Sequence, residues 1–409
     1  MAKSLDSELE TVVFLNPVGF IGGGERVLLS MMSALRSAQP NLNIYLILGT
    51  EGSLASEAAA LGVSVELLPL PMQLSQLGDS GLSRLPRFLR YIRFSWQAIR
   101  AIPALSRYLS SLHNRLACIR PDLIHSNGIK THLLLGIMKR LPAPVVWHIH
   151  DFYSTRPLIG NMLRRLASNV DLGIAVSEAV ARDVRTCLPN LSVTTIYNTV
   201  DLERFTFTES EVEVPNQPLK VGLVATFAKW KGHDIFLDAA KIVVDTMPDC
   251  DTRFCIVGGP IYKTQGSQFS EDFLRARVQY LGINEHVEFW GFQKNVAEAY
   301  QKLAIVVHAS TQPEPFGLVI LEAMASGKPV IVSRSGGAVE LFTHNYDGVG
   351  FESGNAKELA NAIDKLVRDV QFREELASNA RKSVAERFSQ TALGDTLIEV
   401  YRSVKTNPL

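Results

Sequence analysis

No stretch of this chain constrains its fold more than residues 305–325. The apolar, largely β-branched run Ile305-Val306-Val307-His308-Ala309-Ser310 leads through Gln312-Pro313-Glu314-Pro315-Phe316-Gly317 into Leu318–Ala325, which suits a helix. The run reads as a buried strand. Pro315 fits the first turn of a helix, where its missing N–H has no partner to lose. Gly317 carries no Cβ, so backbone amides near it can approach a ligand closely. The spacing predicts a strand, a short loop and a helix whose N-terminus points into a crevice. Such an end offers unpaired amides and roughly half a positive charge, which suits a phosphate.

Two carboxylates flank that helix start. Glu314 lies in the loop, and Glu322 lies on the helix about a turn and a half beyond Phe316. Acids repel a phosphate, so these two suit hydroxyl groups, one on a sugar and one on a ribose. The plainer reading makes them a solvated loop acid and a helix-surface charge. The Pro, Phe and Gly around them and the apolar helix weigh against it.

Other stretches join this one in a fixed order: Gly22-Gly23-Gly24-Glu25-Arg26, His148-Ile149-His150-Asp151, Ile196–Asp201, Lys231-Gly232, Ile256-Val257-Gly258-Gly259 and Gly327-Lys328-Pro329-Val330. With residues 312–325 as its E-x7-E motif, the set resembles the retaining GT-B glycosyltransferases of family four over most of the chain. The resemblance implies an α/β GT-B fold, two Rossmann-like domains with parallel sheets facing one another across a cleft. Residues 1–200 would form an acceptor-side domain, 201–218 a linker and 219–388 a nucleotide-sugar-binding domain. A helix in 389–409 would cross back to the first domain.

At 409 residues the chain is long enough for two domains or more. The polar N-terminus, Met1–Glu10, lacks the apolar core of a signal peptide, and no apolar run reaches bilayer-spanning length. Cys118, Cys187, Cys250 and Cys255 form no C-x-x-C pair and read as reduced core thiols of a cytoplasmic protein. The zero net charge hides an asymmetry. Residues 1–200 hold 19 Lys and Arg against 13 Asp and Glu, and the remainder holds 22 against 28. A net +6 first half suggests that it faces something anionic.

In chain order, Thr11–Leu15 reads as a strand, followed by a Gly-rich loop to Gly24 and a helix to about Ala38. The loop fails a dinucleotide fingerprint: counted from Gly22, the third glycine of G-x-G-x-x-G falls on Val27. The resemblance gives Gly23 and Gly24 another task, closing over the donor phosphates. Further strands fall near Asn43–Leu48 and Val63–Leu68. From Gly81 to Arg120 there is no acidic residue, while Arg84, Arg87, Arg90 and Arg93 recur every three residues with aromatics such as Trp96 among them. A basic aromatic helix of this kind lies in a membrane interface or packs its aromatics on the domain core, and both readings stay open. Nothing in it matches a nucleic-acid-binding module.

Asp122–His125 and Val145–His150 read as strands, the first followed by a helix to about Leu141. His148 and His150 share one face, with His150 at the ligand-binding end of the sheet. The resemblance makes His150 an active-site histidine for acceptor contact or proton handling, helped by a pKa near neutrality. After the linker a second α/β series begins at Lys220. Lys231 follows its first strand as a phosphate ligand. The family's usual Gly-Arg there is Ala225-Thr226, so one of two expected phosphate cations is missing. Asp249-Cys250-Asp251 spells a metal-binding D-x-D but sits at the wrong edge of the sheet.

The reading is a retaining hexosyltransferase that uses a UDP- or GDP-linked sugar without a metal or cofactor. Catalysis falls to His150, Lys231 and Glu314. The donor is held by Gly23, Gly24, Thr226, Lys231, Glu314, Phe316, Gly317, Leu318, Val319 and Glu322. The acceptor is a sugar or lipid-linked or envelope polysaccharide at an anionic membrane face, touched by Arg84, Arg87, Arg90, Arg93 and Trp96. Two rivals remain: a degenerate, non-catalytic membrane-surface module and a nicotinamide-dependent oxidoreductase.

Overall fold

Seven strands of the first half pair in parallel: β1 (Thr11–Asn16), β2 (Asn43–Leu48), β3 (Ser64–Leu67), β4 (Leu123–Asn127), β5 (Val145–Ile149), β6 (Leu172–Ala175) and β7 (Val193–Thr195). The computed structural model describes residues 8–71, 87–205, 218–248, 251–260 and 266–406, and of residues 87–101 the backbone alone. The spatial order is β3-β2-β1-β4-β5-β6-β7. The inner strands are buried, while the edge strands β3 and β7 are polar enough to be partly exposed. β5, Val-Val-Trp-His-Ile, is buried along its whole length, as expected of a parallel sheet covered on both faces. The order reverses between β1 and β4, which pair from Val12 with Leu123 to Leu15 with Ser126. That reversal leaves a crevice at the carboxyl ends of the two strands.

The chain divides into two units. The first runs to Tyr197 and includes the helix Gln390–Thr406; the second is Asn198–Ser389. In the first unit that last helix packs on Gly23–Ala38. Tyr401 joins His125 of β4 through its hydroxyl at 2.7 Å, and Lys405 pairs with Asp122 at 2.8 Å. The helix Arg87–Ile119 buries Tyr108, Leu112 and Leu116, a stripe with a four-residue step.

The second unit repeats the plan with β8 (Leu219–Val224), β9 (Thr252–Val257), β10 (Val287–Gly291), β11 (Ile305–His308), β12 (Val330–Ser333) and β13 (Val349–Phe351). All pairs are parallel in the order β10-β9-β8-β11-β12-β13, so the reversal falls between β8 and β11. Phe236, Phe254, Ile256, Val307 and Ile331 are among the residues of its core.

Several sequence expectations need correction. The first helix starts at Gly23, so Gly23 and Gly24 lie in its first turn and not in the loop. The helix after β4 stops at Ile137 instead of Leu141: Met138 turns extended and Arg140 takes a positive φ of 59°. Of the cysteines described, Cys255 is a core thiol, whereas Cys118 is exposed and Cys187 is half-buried. Residues 206–217 of the expected linker lie outside the described residues, as do Asp249 and Cys250. Among the described residues no helix is long and apolar enough to cross a membrane.

Candidate functional site

In the second unit the polar groups gather where β8 and β11 end. The chain leaves β8 into a 3-10 turn, Lys229–Lys231, and Gly232 then opens the helix His233–Thr246. β11 ends at His308, and Ser310 and Glu314 follow in the loop. The loop is held from a distance. Glu314 bridges to Gly336, and its carbonyl accepts from Gly337 N–H at 2.7 Å. A Cβ on Gly336, whose φ is +68°, would stand 2.4 Å from the Glu314 carbonyl oxygen, so only glycine lets the two segments touch.

This tether brings three donors onto one carboxylate oxygen. Glu314 Oε2 lies 2.7 Å from Lys231 Nζ, 2.7 Å from Ser310 Oγ and 3.2 Å from His308 Nε2. Burial by itself raises the Glu314 carboxyl, but the Lys231 charge and the hydrogen bond from His308 hold it well below the usual carboxylate range. It is therefore an ionised acceptor. Oε1 takes no hydrogen bond from any described residue.

The helix spans Leu318–Ala325 as the sequence suggests, but Pro315 lies three residues ahead of it and not in its first turn. Gly317 caps it in the left-handed region, φ 106° and ψ 61°, so Pro315 and Phe316 stay in the loop. Phe316 does not present its ring to a ligand: it is 3% exposed and packs edge-on against Phe388. Leu318 and Val319 are half-buried and sit in the first turn, where amides lack an intrahelical partner. Glu322 accepts a hydrogen bond from Tyr300 at 3.0 Å. Thr226 is half-buried, and its Oγ1 is buried without a partner among the described residues. Next to Lys231, His233 is fully buried with neither ring nitrogen paired, and burial pushes it down to about 4.

The first unit also concentrates its polar groups where the strand order reverses. Asn16 ends β1, Asn127 ends β4, and His150 follows β5. Asn127 Nδ2 donates to Asn16 Oδ1 at 2.8 Å, and His150 Nε2 lies 2.7 Å from Asn127 Oδ1. Gly24 faces the His150 ring, where a Cβ would come no closer than 3.9 Å, and Gly23 faces open space. The His148 ring lies beside that of His150, centroids 4.1 Å apart. The expected near-neutral pKa is wrong. Burial lowers His150 to about 4, against an opposing pull from Asp151, so it is a neutral imidazole at pH 7.

The structure thus places Lys231 and Glu314 in one cluster, with Gly317, Leu318, Val319 and Glu322 on or beside the same helix start, and Thr226 in the loop after β8. Gly23, Gly24 and His150 lie together in the first unit. Arg87, Arg90, Arg93 and Trp96 fall on the helix Arg87–Ile119, their side chains outside the described residues, and Arg84 lies outside them altogether. His308, Ser310, Tyr300, Asn16 and Asn127 escaped sequence reasoning. One signal was available for two of them: Asn16 and His308 are polar residues closing largely apolar strands at the reversal points.

Two doubly wound parallel sheets, each with its polar groups at the carboxyl end of the reversal, define a GT-B type α/β enzyme. Two family profiles agree with that class: Glycosyltransferase Family 4 over residues 21–204 and Glycosyl transferases group 1 over residues 205–383. The chain belongs to glycosyltransferase family four and is a glycosyltransferase. It is 25% identical over 405 residues to the D-inositol 3-phosphate glycosyltransferase of Corynebacterium urealyticum, covering 90% of this chain and 91% of that one. It is 27% identical over 297 residues to an uncharacterized glycosyltransferase of Methanocaldococcus jannaschii, 69% of this chain and 75% of that one. Among solved structures, Anabaena HepE in complex with UDP and glucose aligns with a TM-score of 0.77 at 25% identity, over 97% of this chain and all of HepE.

Proposed function

We propose that the enzyme transfers a hexose, with retention, from a UDP- or GDP-linked donor to an acceptor hydroxyl on a lipid-linked or envelope polysaccharide, and that it does so without a metal. The observation that carries this reading is the ion pair of Lys231 and Glu314 beside the helix start at Leu318. The likeness to HepE, which binds UDP and glucose, favours uridine as the base. Lys231 and the amides of Leu318 and Val319 stabilise the diphosphate as it leaves, so positive charge is supplied by the protein itself. Glu314 Oε1 accepts from a sugar hydroxyl and Glu322 from the ribose. The bond from the anomeric carbon to the diphosphate breaks, the acceptor oxygen attacks from the same face, and its proton passes to the departing diphosphate oxygen. The basic helix beginning at Arg87 supports an acceptor held at an anionic membrane surface.

Calorimetric titration with UDP, GDP and ADP, with and without magnesium, tests the donor site. One nucleotide is expected to bind equally well without magnesium and about tenfold or more weaker to Glu322→Ala, the scale of a hydrogen bond to a charged group. Binding that requires magnesium, or that ignores Glu322, defeats the reading.

A further inference from the structure

The polar groups at the first unit's reversal point have an order that fixes where each proton sits. Asn16 and Asn127 are 1% and 2% exposed, so their amides must be satisfied within the protein. The chain is anchored at its far end by two groups that can only accept. Asn16 Nδ2 lies 2.6 Å from the Val18 carbonyl oxygen and 3.4 Å from Glu25 Oε1. Glu25 is itself fixed, because its Oε2 accepts from Gly22 N–H at 3.0 Å at the start of the helix. Asn16 must therefore turn its NH2 toward Val18 and Glu25 and its Oδ1 toward Asn127. Asn127 must answer with its own NH2, at 2.8 Å, which turns its Oδ1 to His150. Flipping either amide sets oxygen against oxygen at one of these contacts. His150 Nε2, 2.7 Å from that oxygen, is then obliged to carry a hydrogen.

We propose that Glu25, Asn16 and Asn127 form a one-way hydrogen-bond chain that holds His150 as its Nε2–H tautomer, so that Nδ1 is the atom it offers to a substrate hydroxyl. Nδ1 takes no hydrogen bond from any described residue. A neutral imidazole with its Nε2 proton held in place accepts at Nδ1 in a single direction. It can orient a hydroxyl, accepting its hydrogen bond, while the proton itself goes to the departing diphosphate oxygen. Asn16, Asn127 and Glu25 act through His150 and are positioning residues. The proposal rests on the transferase reading for its function, but its tautomer does not.

Long-range proton–nitrogen correlation spectra of the full-length protein, labelled with 15N at histidine, test the tautomer directly. His150, assigned by comparison with His150→Gln, is expected as a single neutral form protonated at Nε2 from pH 8 to pH 6. A proton on Nδ1, or a mixture of tautomers, overturns the proposal whatever the protein's activity. Asn127→Ala is expected to give a tautomer mixture and to lower kcat at least about tenfold, leaving nucleotide affinity in the second unit unchanged. Asn127→Asp keeps an acceptor against Nε2 but sets its other oxygen against Asn16 Oδ1, so it is expected to restore the single tautomer, to recover part of that loss and to move the acid limb of the pH–rate profile upward. An unchanged tautomer in Asn127→Ala, or a recovered rate with an unmoved profile, reduces the chain to packing. Loss of nucleotide binding by wild type would instead count against the transferase reading alone.

Discussion

The two units share a strand order and place their polar groups at the same point in it, yet they fill that point with opposite chemistry. Between β1 and β4 stand two amides and a neutral histidine; between β8 and β11 stand a lysine and a carboxylate locked together at 2.7 Å. The topology decides where a ligand is met, because reversal of the strand order opens a crevice there. The residues closing the strands decide which ligand it is. A network of amides and a neutral imidazole suits an acceptor hydroxyl, which needs orientation. An ion pair beside a helix N-terminus suits a diphosphate, whose charge grows as it leaves.

The charged point should break hardest. Lys231→Ala leaves Glu314, its side chain 13% exposed, without the lysine's counter-charge and with only the hydrogen bonds of Ser310 and His308, a loss of up to about 3 kcal/mol in the melting of the second unit. Turnover is expected to fall by about 10²–10³, the usual loss when one group opposite a developing negative charge is removed. The double variant Lys231→Ala with Glu314→Gln removes the stranded charge. Calorimetry should show most of the stability restored, while initial rates stay low. Recovery of both together would mean that Lys231 only neutralises Glu314 and does not serve the diphosphate.

Acid should reverse the ranking and strike the first unit. His125, His132 and His148 are each 1% exposed or less, and burial holds all three below their ordinary value, His125 at about 3. Their folded values lie below the unfolded one, so the unfolded chain binds protons first. Stability is full above pH about 6.5 and falls as the pH drops toward the folded values, by about 1.4 kcal/mol per pH unit for each histidine. In the second unit His233 alone among the described residues behaves this way, at about 4. Glu314, held low, contributes stability above the ordinary carboxylate value that is lost only in stronger acid. Between pH 7.5 and pH 5 the first unit should therefore lose more stability than the second. Hydrogen exchange should report this in the helix Gln390–Thr406, whose Tyr401 bonds His125. Equal loss of protection in both units would refute it.

Much of this plan was legible in the sequence. Apolar runs such as Val145–Ile149 and Ile305–His308 announce themselves as strands, and the alternation of strand and helix dictates parallel pairing. Lys231, Glu314 and Glu322 stand out because charge interrupts apolar segments near glycine and proline. What was not legible depends on contacts distant in sequence. The placing of Pro315 in the loop follows from the Glu314 segment being tied to Gly336 and Gly337, which no local pattern encodes. His308 looks like a strand residue until the fold sets it against Glu314. Asn16 and Asn127 are 111 residues apart, and only the pairing of β1 with β4 makes them neighbours. The His150 pKa failed for the same reason: histidine's ordinary value is a property of the residue, and its burial is a property of the fold.

The smallest effect should come from Gly24→Ala, and it sharpens the contrast by pulling stability and activity apart. Position 24 lies in the first turn of the helix Gly23–Ala38 and carries no positive φ, so alanine fits the backbone. Losing a flexible glycine there is expected to raise stability by about 0.5–1 kcal/mol. The new methyl would sit 3.9 Å from the His150 ring, in ordinary contact, filling space that an acceptor needs. A KM for acceptor raised a fewfold, with nucleotide affinity unchanged, is the expected result of steady-state kinetics and calorimetry on the same preparation. If nucleotide affinity falls instead, the glycines serve the donor phosphates. The neutral point would then not be reserved for the acceptor, and the division of labour between the two units would have to be redrawn.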